Sequence, residues 1–370
     1  MRVIGVDVAL CSFELPHPVR LGPVEYRCRD YVALRVCTED AAVAGYAAGY
    51  TRGTPLFEAV CLLAPSIVGA DALARGALFA RLEAAHRPGH AALVRALSLL
   101  EMALWDLTAK QAALPLHAVL GGTREVAPAM GVCGYFIEER GEEAILDDLR
   151  RLEQDGFARL KLMLGARPPL WMLRFLTRAK EALAPDTLLG VDVHYSLASL
   201  EEGVRLVRAL DGLGLAFIED PFDPARWRQL VALSRQVSTP VAAGEDVVSP
   251  LQYRDILEGA AILRVDPSTC GGFGSAIEGI ELATAMGASV IPHGFVGVNA
   301  QLAGAFPAVS AVEVIPPEIS SDGFEKLVEP ACELRDGSVH LDRAPGAGLR
   351  LDWEGVVAAA VATWSTQSDL

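Results

Sequence analysis

Over residues 1 to about 60, apolar and polar side chains alternate with a period of two. The alternation runs through RVIGVDVAL, then EYRCRDYVALRVCTED, then a Gly/Ala/Tyr-rich stretch ending at YTRGTP. That period belongs to strands, whose successive side chains point to opposite faces. Between the first two strands lies SFELPHPVRLGPVEY, whose prolines predict a mobile loop. From Asp71 to Lys110 the repeat lengthens to that of a helix and closes in RALSLLEMALWDLTAKQAA. Strands followed by helices predict an α+β unit over residues 1–125.

From Pro128 onward, short apolar runs alternate with helical stretches. The runs are PAMGVCGYF, FARLKLML, LLGVDVHY, LAFIEDP, PVAAGED, AILRVDP, SVIPHG and SAVEVIP. Eight strands with helices between them predict an α/β fold, a (β/α)7β TIM-like barrel over residues 126–316 with the last helix missing. Residues 317–370 leave the alternation and are expected to pack back on the first unit, completing a capping domain. Leu282–Val312 imitates a membrane span because it carries no charged side chain besides His293. Pro292, Gly294, Gly297, Gly304 and Pro307 break it, so a buried strand–helix–strand is the better reading.

Composition narrows the classes. Of 370 residues, 52% are hydrophobic and 21% charged, enough for a large core and too apolar for wholesale disorder. A net charge of −15 without a basic stripe argues against nucleic acid and anionic membranes as partners. It leaves anionic small molecules open, because a divalent metal reverses the sign locally. The seven cysteines lack CxxC pairing and read as small buried hydrophobes in a reducing compartment. MRVIGVDVALCSFELP enters a strand directly, without the regions of a secretory leader, so a cytoplasmic location is expected.

The chemistry gathers at the strand ends. Asp192, Glu219, Glu245, Asp266, His293 and Glu313 each close an apolar run, at steps of 27, 26, 21, 27 and 20 residues. A charge once per βα unit places all six on one rim of the barrel, where such barrels do their chemistry. Any one of these acids alone is more simply a cap or a surface charge. Three in succession, Asp192, Glu219 and Glu245, would repel one another unless a cation held them, and oxygen-only ligands suit Mg²⁺ better than zinc. Asp266 beside His293 would fix the imidazole tautomer and raise its basicity, making a candidate general base.

Lys161 ends the second strand, across the barrel from His293. Taken alone it is a snorkelling side chain; at the rim it is a second acid/base or an anchor for an anion. Arg159 lies two residues earlier on the same face and is a substrate-binding candidate. Glu313 would protonate or hydrogen-bond an oxyanion if burial raised its pKa. His194 shares a face with Asp192, as an acid for a leaving group or an orienting neighbour. Arg52 in YTRGTP is a carboxylate binder or a solvated loop charge.

In this order, the motifs VDVH, IEDP, AGED, VDPSTCGG and IPHG resemble the third to seventh strand ends of the enolase superfamily, in its mandelate racemase branch (mandelate racemase/muconate lactonizing enzyme-like). ALWDLTAKQAALPLHAVLGG resembles the segment that closes the family's capping domain. The resemblance covers most of the chain and implies Mg²⁺ held by Asp192, Glu219 and Glu245. It also implies an Asp266–His293 dyad and an enolate-stabilising Glu313. Two departures stand out: Arg159-Leu160-Lys161 where Lys-x-Lys is usual, and His194 where Asn is frequent. Some acid-sugar dehydratases of the family use a histidine at that place to expel the β-hydroxyl.

The implied reaction is Mg²⁺-dependent removal of the α-proton of a small-molecule carboxylate to give an enediolate. Loss of water from a sugar acid or related hydroxy acid is the favoured outcome. Racemisation or epimerisation of an α-substituted carboxylate is the runner-up, and an inactive binding or structural relative the remote third. Specificity is expected in the capping loops, and a homo-oligomer is expected of a capped barrel.

Overall fold

The computed structural model describes residues 1–21, 24–86, 89–165, 167–320 and 323–367. Val6 and Val8, two residues apart, are buried along β1 (Val3–Leu21), which pairs antiparallel with β2 (Val24–Thr38), followed by β3 (Ala44–Tyr50). The segment expected to be a loop is instead the far end of this β1–β2 hairpin, apart from residues 22–23, which lie outside the described residues. The prolines are accommodated because the register shifts between Glu14 and Val19, so Pro16 and Pro18 sit where the ladder is interrupted. Helices α1 (Leu56–Leu63), α2 (Arg75–His86) and α3 (His90–Gln111) follow. Leu97, Leu100, Leu104 and Leu107 recur at helical spacing along α3 and are buried.

The barrel strands are β4 (Val126–Cys133), β5 (Arg159–Met163), β6 (Leu188–Asp192), β7 (Phe217–Glu219), β8 (Val241–Ala243), β9 (Ile262–Leu263), β10 (Ser289–Val290) and β11 (Val312–Val314). Neighbours pair in parallel from β4 through β10, and β11 pairs with β4. The ring closes where Val290 N donates to Ala308 O and Ser310 N to Val290 O, 2.9 Å each. Helices lie between successive strands and none follows β11 before the tail, the (β/α)7β pattern. Leu282–Val312 is part of this barrel: the end of helix Phe273–Met286, then β10, helix Val296–Ala305 and β11. Among the described residues no helix is long and apolar enough to cross a membrane.

Met130, Phe217, Ala242, Ile291 and Ala311 form a separate apolar cluster. They come from β4, β7, β8, the segment after β10 and the approach to β11. This plug puts the charged rim above a low-dielectric floor, where electrostatic interactions strengthen.

The tail divides. β12 (Val328–Glu329) pairs with β15 (Arg350–Leu351). The hairpin of β13 (Cys332–Arg335) and β14 (Ser338–Leu341) joins β4, while β16 (Ala360–Ser365) extends the capping sheet beside β1. A buried carboxylate also ties cap to barrel: Glu101 of α3 accepts from Phe273 N (2.7 Å), Gly274 N (3.1 Å) and Trp105 Nε1 (2.6 Å). It thereby caps a barrel helix from another domain. Gly272 permits this approach, because a Cβ there would stand 2.1 Å from Glu101 Oε2 and its φ is +94°.

Candidate active site at the barrel mouth

Strand register sets the first neighbours: Met163 lies beside Asp192, and Asp192 beside Glu219. The Lys161 ammonium stands 2.8 Å from Glu219 Oε1, 2.8 Å from Glu313 Oε2 and 3.4 Å from Asp192 Oδ2. A second cation, absent from the sequence-level candidates, completes the group. Arg264, wholly buried, donates from Nε to Glu219 Oε1 (3.1 Å), from Nη1 to Ile291 O (2.8 Å), and from Nη2 to Glu313. Its sequence signal was available: it shares strand parity with Asp266 inside an otherwise apolar run.

Arg264 and Lys161 set the balance at Glu313. Burial does push its carboxyl up, but the two cations outweigh it and bring it down to about 2. The Glu313 carboxylate thus pairs with both Lys161 and Arg264. Lys161 is held well above its ordinary value: burial alone would lower it, and Glu219 and Glu313 reverse that.

Two carboxylate oxygens beside this group lack partners. Glu219 Oε2 and Asp220 Oδ2 are buried with no hydrogen bond among the described residues. Oxygens of Glu219, Asp220 and Glu245 lie within 4.8 Å of one another. Burial, reinforced by Glu245, Glu219 and Asp192, pushes Asp220 well above the ordinary carboxylate range, and burial pushes Glu219 up to about 7. Orphaned hard oxygens in close array fit a divalent cation. Asp220 was not among the expected ligands. Asp192, which was, stands beside them, with Oδ1 accepting from His194 N at 2.8 Å and Oδ2 facing Lys161.

On the opposite side, His293 Nδ1 lies 2.8 Å from Asp266 Oδ2, and Asp266 Oδ1 accepts from Ser268 N (2.8 Å) and Ser268 Oγ (2.7 Å). With Asp266 fixed in this way, the proton on Nδ1 faces the carboxylate and Nε2 is turned to the site, 3.5 Å from Glu245 Oε2. Burial disfavours protonated His293, but Glu245 and Asp266 outweigh it and raise its pKa.

His194 follows the end of β6 in a left-handed turn (φ +40°), so strand parity no longer sets its direction. Burial lowers its pKa, leaving a neutral ring beside that of Tyr195, centroids 4.9 Å apart. Arg52, Tyr195 and Asp220 also have positive φ; four strained non-glycine residues at one rim are a mark of function.

The cap reaches this rim through Arg52, which bonds Glu245 and Asp246 (2.7 Å each), and through Arg95, 2.5 Å from Asp246. Arg52 thus clamps cap to barrel, its guanidinium engaged by two carboxylates. Eight of the ten expected site residues line one cavity of about 470 Å³. Glu219 lies beneath it, fully buried. Arg159 is not brought there, because it starts β5, a layer below Lys161 and away from the strand's C-terminal end.

The comparisons with known proteins agree with this geometry. Residues 144–355 match the enolase C-terminal domain-like family, and residues 5–121 match the mandelate racemase/muconate lactonizing enzyme N-terminal domain. The chain belongs to the mandelate racemase/muconate lactonizing enzyme family of the enolase superfamily. It is 27% identical over 260 residues to L-talarate/galactarate dehydratase of Salmonella typhimurium, across 70% of this chain. That match spans 63% of the Salmonella enzyme's length. It is 30% identical over 273 residues to N-succinylamino acid racemase of Thermus thermophilus, covering 69% of this chain and 68% of that one. The crystal structure of L-talarate dehydratase from Polaromonas sp. JS666 complexed with Mg and L-glucarate superposes with a TM-score of 0.88 at 24% identity, over 99% of both chains. At that identity the superposition speaks to the fold.

Proposed function

We propose that this member of the mandelate racemase/muconate lactonizing enzyme family is a Mg²⁺-dependent hydro-lyase. It would remove the α-proton of a hydroxy-carboxylate, an acid sugar or related hydroxy acid, and expel the β-hydroxyl as water. One observation carries the reading: an Asp266-oriented His293 and Lys161 enter a single cavity from strands across the barrel, above carboxylate oxygens that have no partner.

The residues divide the work by position. Glu219 and Glu245, with Asp192 and the adjoining Asp220, would hold the cation. When bound, Mg²⁺ supplies electrostatic stabilisation of the second negative charge that builds on the substrate carboxylate. Lys161 adds positive potential at the same place, and Glu313 and Arg264 keep it there. A substrate whose C2 sits between His293 and Lys161 presents one face to each. His293 removes the α-proton from its face, and the Lys161 ammonium donates to the departing hydroxyl from the other. His194, turned by its left-handed backbone, orients Asp192 through its main-chain N–H.

Racemisation or epimerisation remains the second reading, favoured by that same pair of groups on opposite faces and by the racemase from Thermus thermophilus among its relatives. Proton NMR with Mg²⁺ in D₂O, against pooled hydroxy and amino acids, separates the two. Loss of the C2 proton with a 3-deoxy-2-keto acid product supports the hydro-lyase. Deuterium at C2 with the skeleton intact supports the racemase and defeats the dehydratase.

A further inference from the structure

We propose that Glu101 and Ser98 of the cap helix α3 are positioning residues for the Asp266–His293 pair at the barrel mouth. Neither lines the cavity; they act through the loop that carries Asp266. The consequence for catalysis rests on the reading of His293 as the base, whereas the effect on the Asp266–His293 bond does not.

The sheet secures this strand up to Val265, whose carbonyl accepts from His293 N at 2.8 Å. Past it the chain coils back on itself. Thr269 N (3.0 Å) and Cys270 N (3.2 Å) both donate to Asp266 O, and Gly272 N donates to Pro267 O at 3.1 Å. Ser268, which bonds the Asp266 carboxylate through N and Oγ, sits inside the same coil. A coil tied to its own first residue moves as a unit, so fixing its far end fixes the Asp266 carboxylate.

The far end is fixed from the cap. Gly271 N donates to Ser98 Oγ at 2.8 Å, and Phe273 N and Gly274 N donate to the two oxygens of Glu101. Ser98 and Glu101 stand three residues apart on α3 and so share a face. Both are buried, and water does not replace their bonds. The loop has little stiffness of its own here: Gly271 and Gly272 stand at φ +112° and +94°, and glycine meets no steric barrier to leaving those values. Without the two anchors this glycine pair is a hinge between Asp266 and the helix Phe273–Met286. A bond from Thr269 Oγ1 to Glu245 O (2.7 Å) ties the middle of the loop and limits the swing.

Glutamine at position 101 breaks the anchor with little change of shape. Oε2 accepts from Phe273 N, and Oε1 from Gly274 N and Trp105 Nε1. One amide oxygen cannot serve both sides, so the new NH₂ must face a buried N–H. Asp106→Asn on the same helix is the matched control. Asp106 is also buried and accepts from Tyr46 N (3.0 Å) and Ala347 N (2.7 Å), so it ties the cap sheet to the tail and not to the Asp266 loop.

The test reads the His293 Nδ1–H proton by NMR in the ¹⁵N-histidine-labelled full chain with Mg²⁺, at about pH 8. Burial pushes the Glu101 carboxyl up to about 7, so the wild type carries the carboxylate there. Of the seven histidines, the one whose signal vanishes in His293→Asn gives the assignment. In E101Q this proton should move upfield and exchange with solvent at least about tenfold faster, and in Ser98→Ala it should change in the same direction by less. D106N should keep the wild-type signal although it loses stability to urea. A wild-type signal in folded E101Q overturns the proposal, and so does a D106N signal displaced as far as that of E101Q. If E101Q does not fold, S98A decides: a displaced signal upholds the positioning role and a wild-type signal ends it.

Turnover gives a second readout. On a hydroxy-carboxylate that the wild type exchanges at C2 in D₂O, E101Q should lower kcat roughly 10- to 100-fold with KM held within about twofold. A loss carried by KM alone would place the effect in binding and overturn the catalytic consequence. No exchange by the wild type defeats His293 as the base and leaves the proton signal to decide the positioning.

Discussion

Replacing Arg264 by methionine keeps a long apolar side chain in the barrel but removes the guanidinium that bonds both Glu219 and Glu313. Arg264 and Glu219 are fully buried and Glu313 is 5% exposed, so water does not take over the lost role. Removing one member of a buried ionic group costs about 3–5 kcal/mol, because the others are left uncompensated. Lys161 remains 2.8 Å from each carboxylate and offsets part of this. R264M is therefore expected near the lower end, about 3 kcal/mol. The double variant R264M/E313Q loses a cation and an anion together, and should recover at least about 1 kcal/mol through the coupling of neighbours. R264K keeps the charge but not the fork that spans two carboxylates and a carbonyl, and should fall between. Urea unfolding of metal-free protein, followed by far-UV circular dichroism, reads these differences as midpoint shifts at constant slope. A loss below about 1 kcal/mol in R264M, the range of an exposed ion pair, would refute the reasoning. So would a double variant no more stable than the single one.

Three further outcomes are expected. His293→Asn should lower kcat about 10²- to 10⁴-fold while Mg²⁺ still titrates normally in calorimetry; an unaltered kcat removes His293 from the chemistry. Chelation should abolish turnover and added Mg²⁺ restore it, and Glu219→Gln should weaken Mg²⁺ binding; wild-type affinity in E219Q would exclude Glu219 as a ligand. Glu313 supplies a pH signature: its folded pKa of about 2 lies below the ordinary 4.5, so the native state binds fewer protons in that interval. Its stabilisation is complete above pH 4.5 and drains away as pH falls toward 2. E313Q should lack this component, and identical stability slopes between pH 5 and 3.5 in both proteins would contradict the assignment.

Much of the barrel was legible because its signal is local and periodic. An apolar run, a charge and a helix, repeated at nearly constant intervals, predict strands whose ends share a rim, and Asp192, Glu245, Asp266, His293 and Glu313 do line one cavity. The hairpin at SFELPHPVRLGPVEY was misread because proline suggests a loop, whereas pairing with β2 from the other side of a register shift kept it in the sheet. Arg159 shares the parity of Lys161, but parity carries no depth, and only the barrel shows that it lies a layer too low.

Sequence by itself determined the order of elements, the rim and the residue types placed there, since these follow from side-chain periodicity and chain connectivity. Charge states and partners were left to tertiary structure. Whether Glu313 is an acid or an anion depends on Arg264, which lies 49 positions away in the chain and bonds it across the barrel. Whether Arg52 is free depends on Glu245 and Asp246 meeting it from another domain. Electrostatic energy varies with distance and burial, and both are properties of the packed molecule.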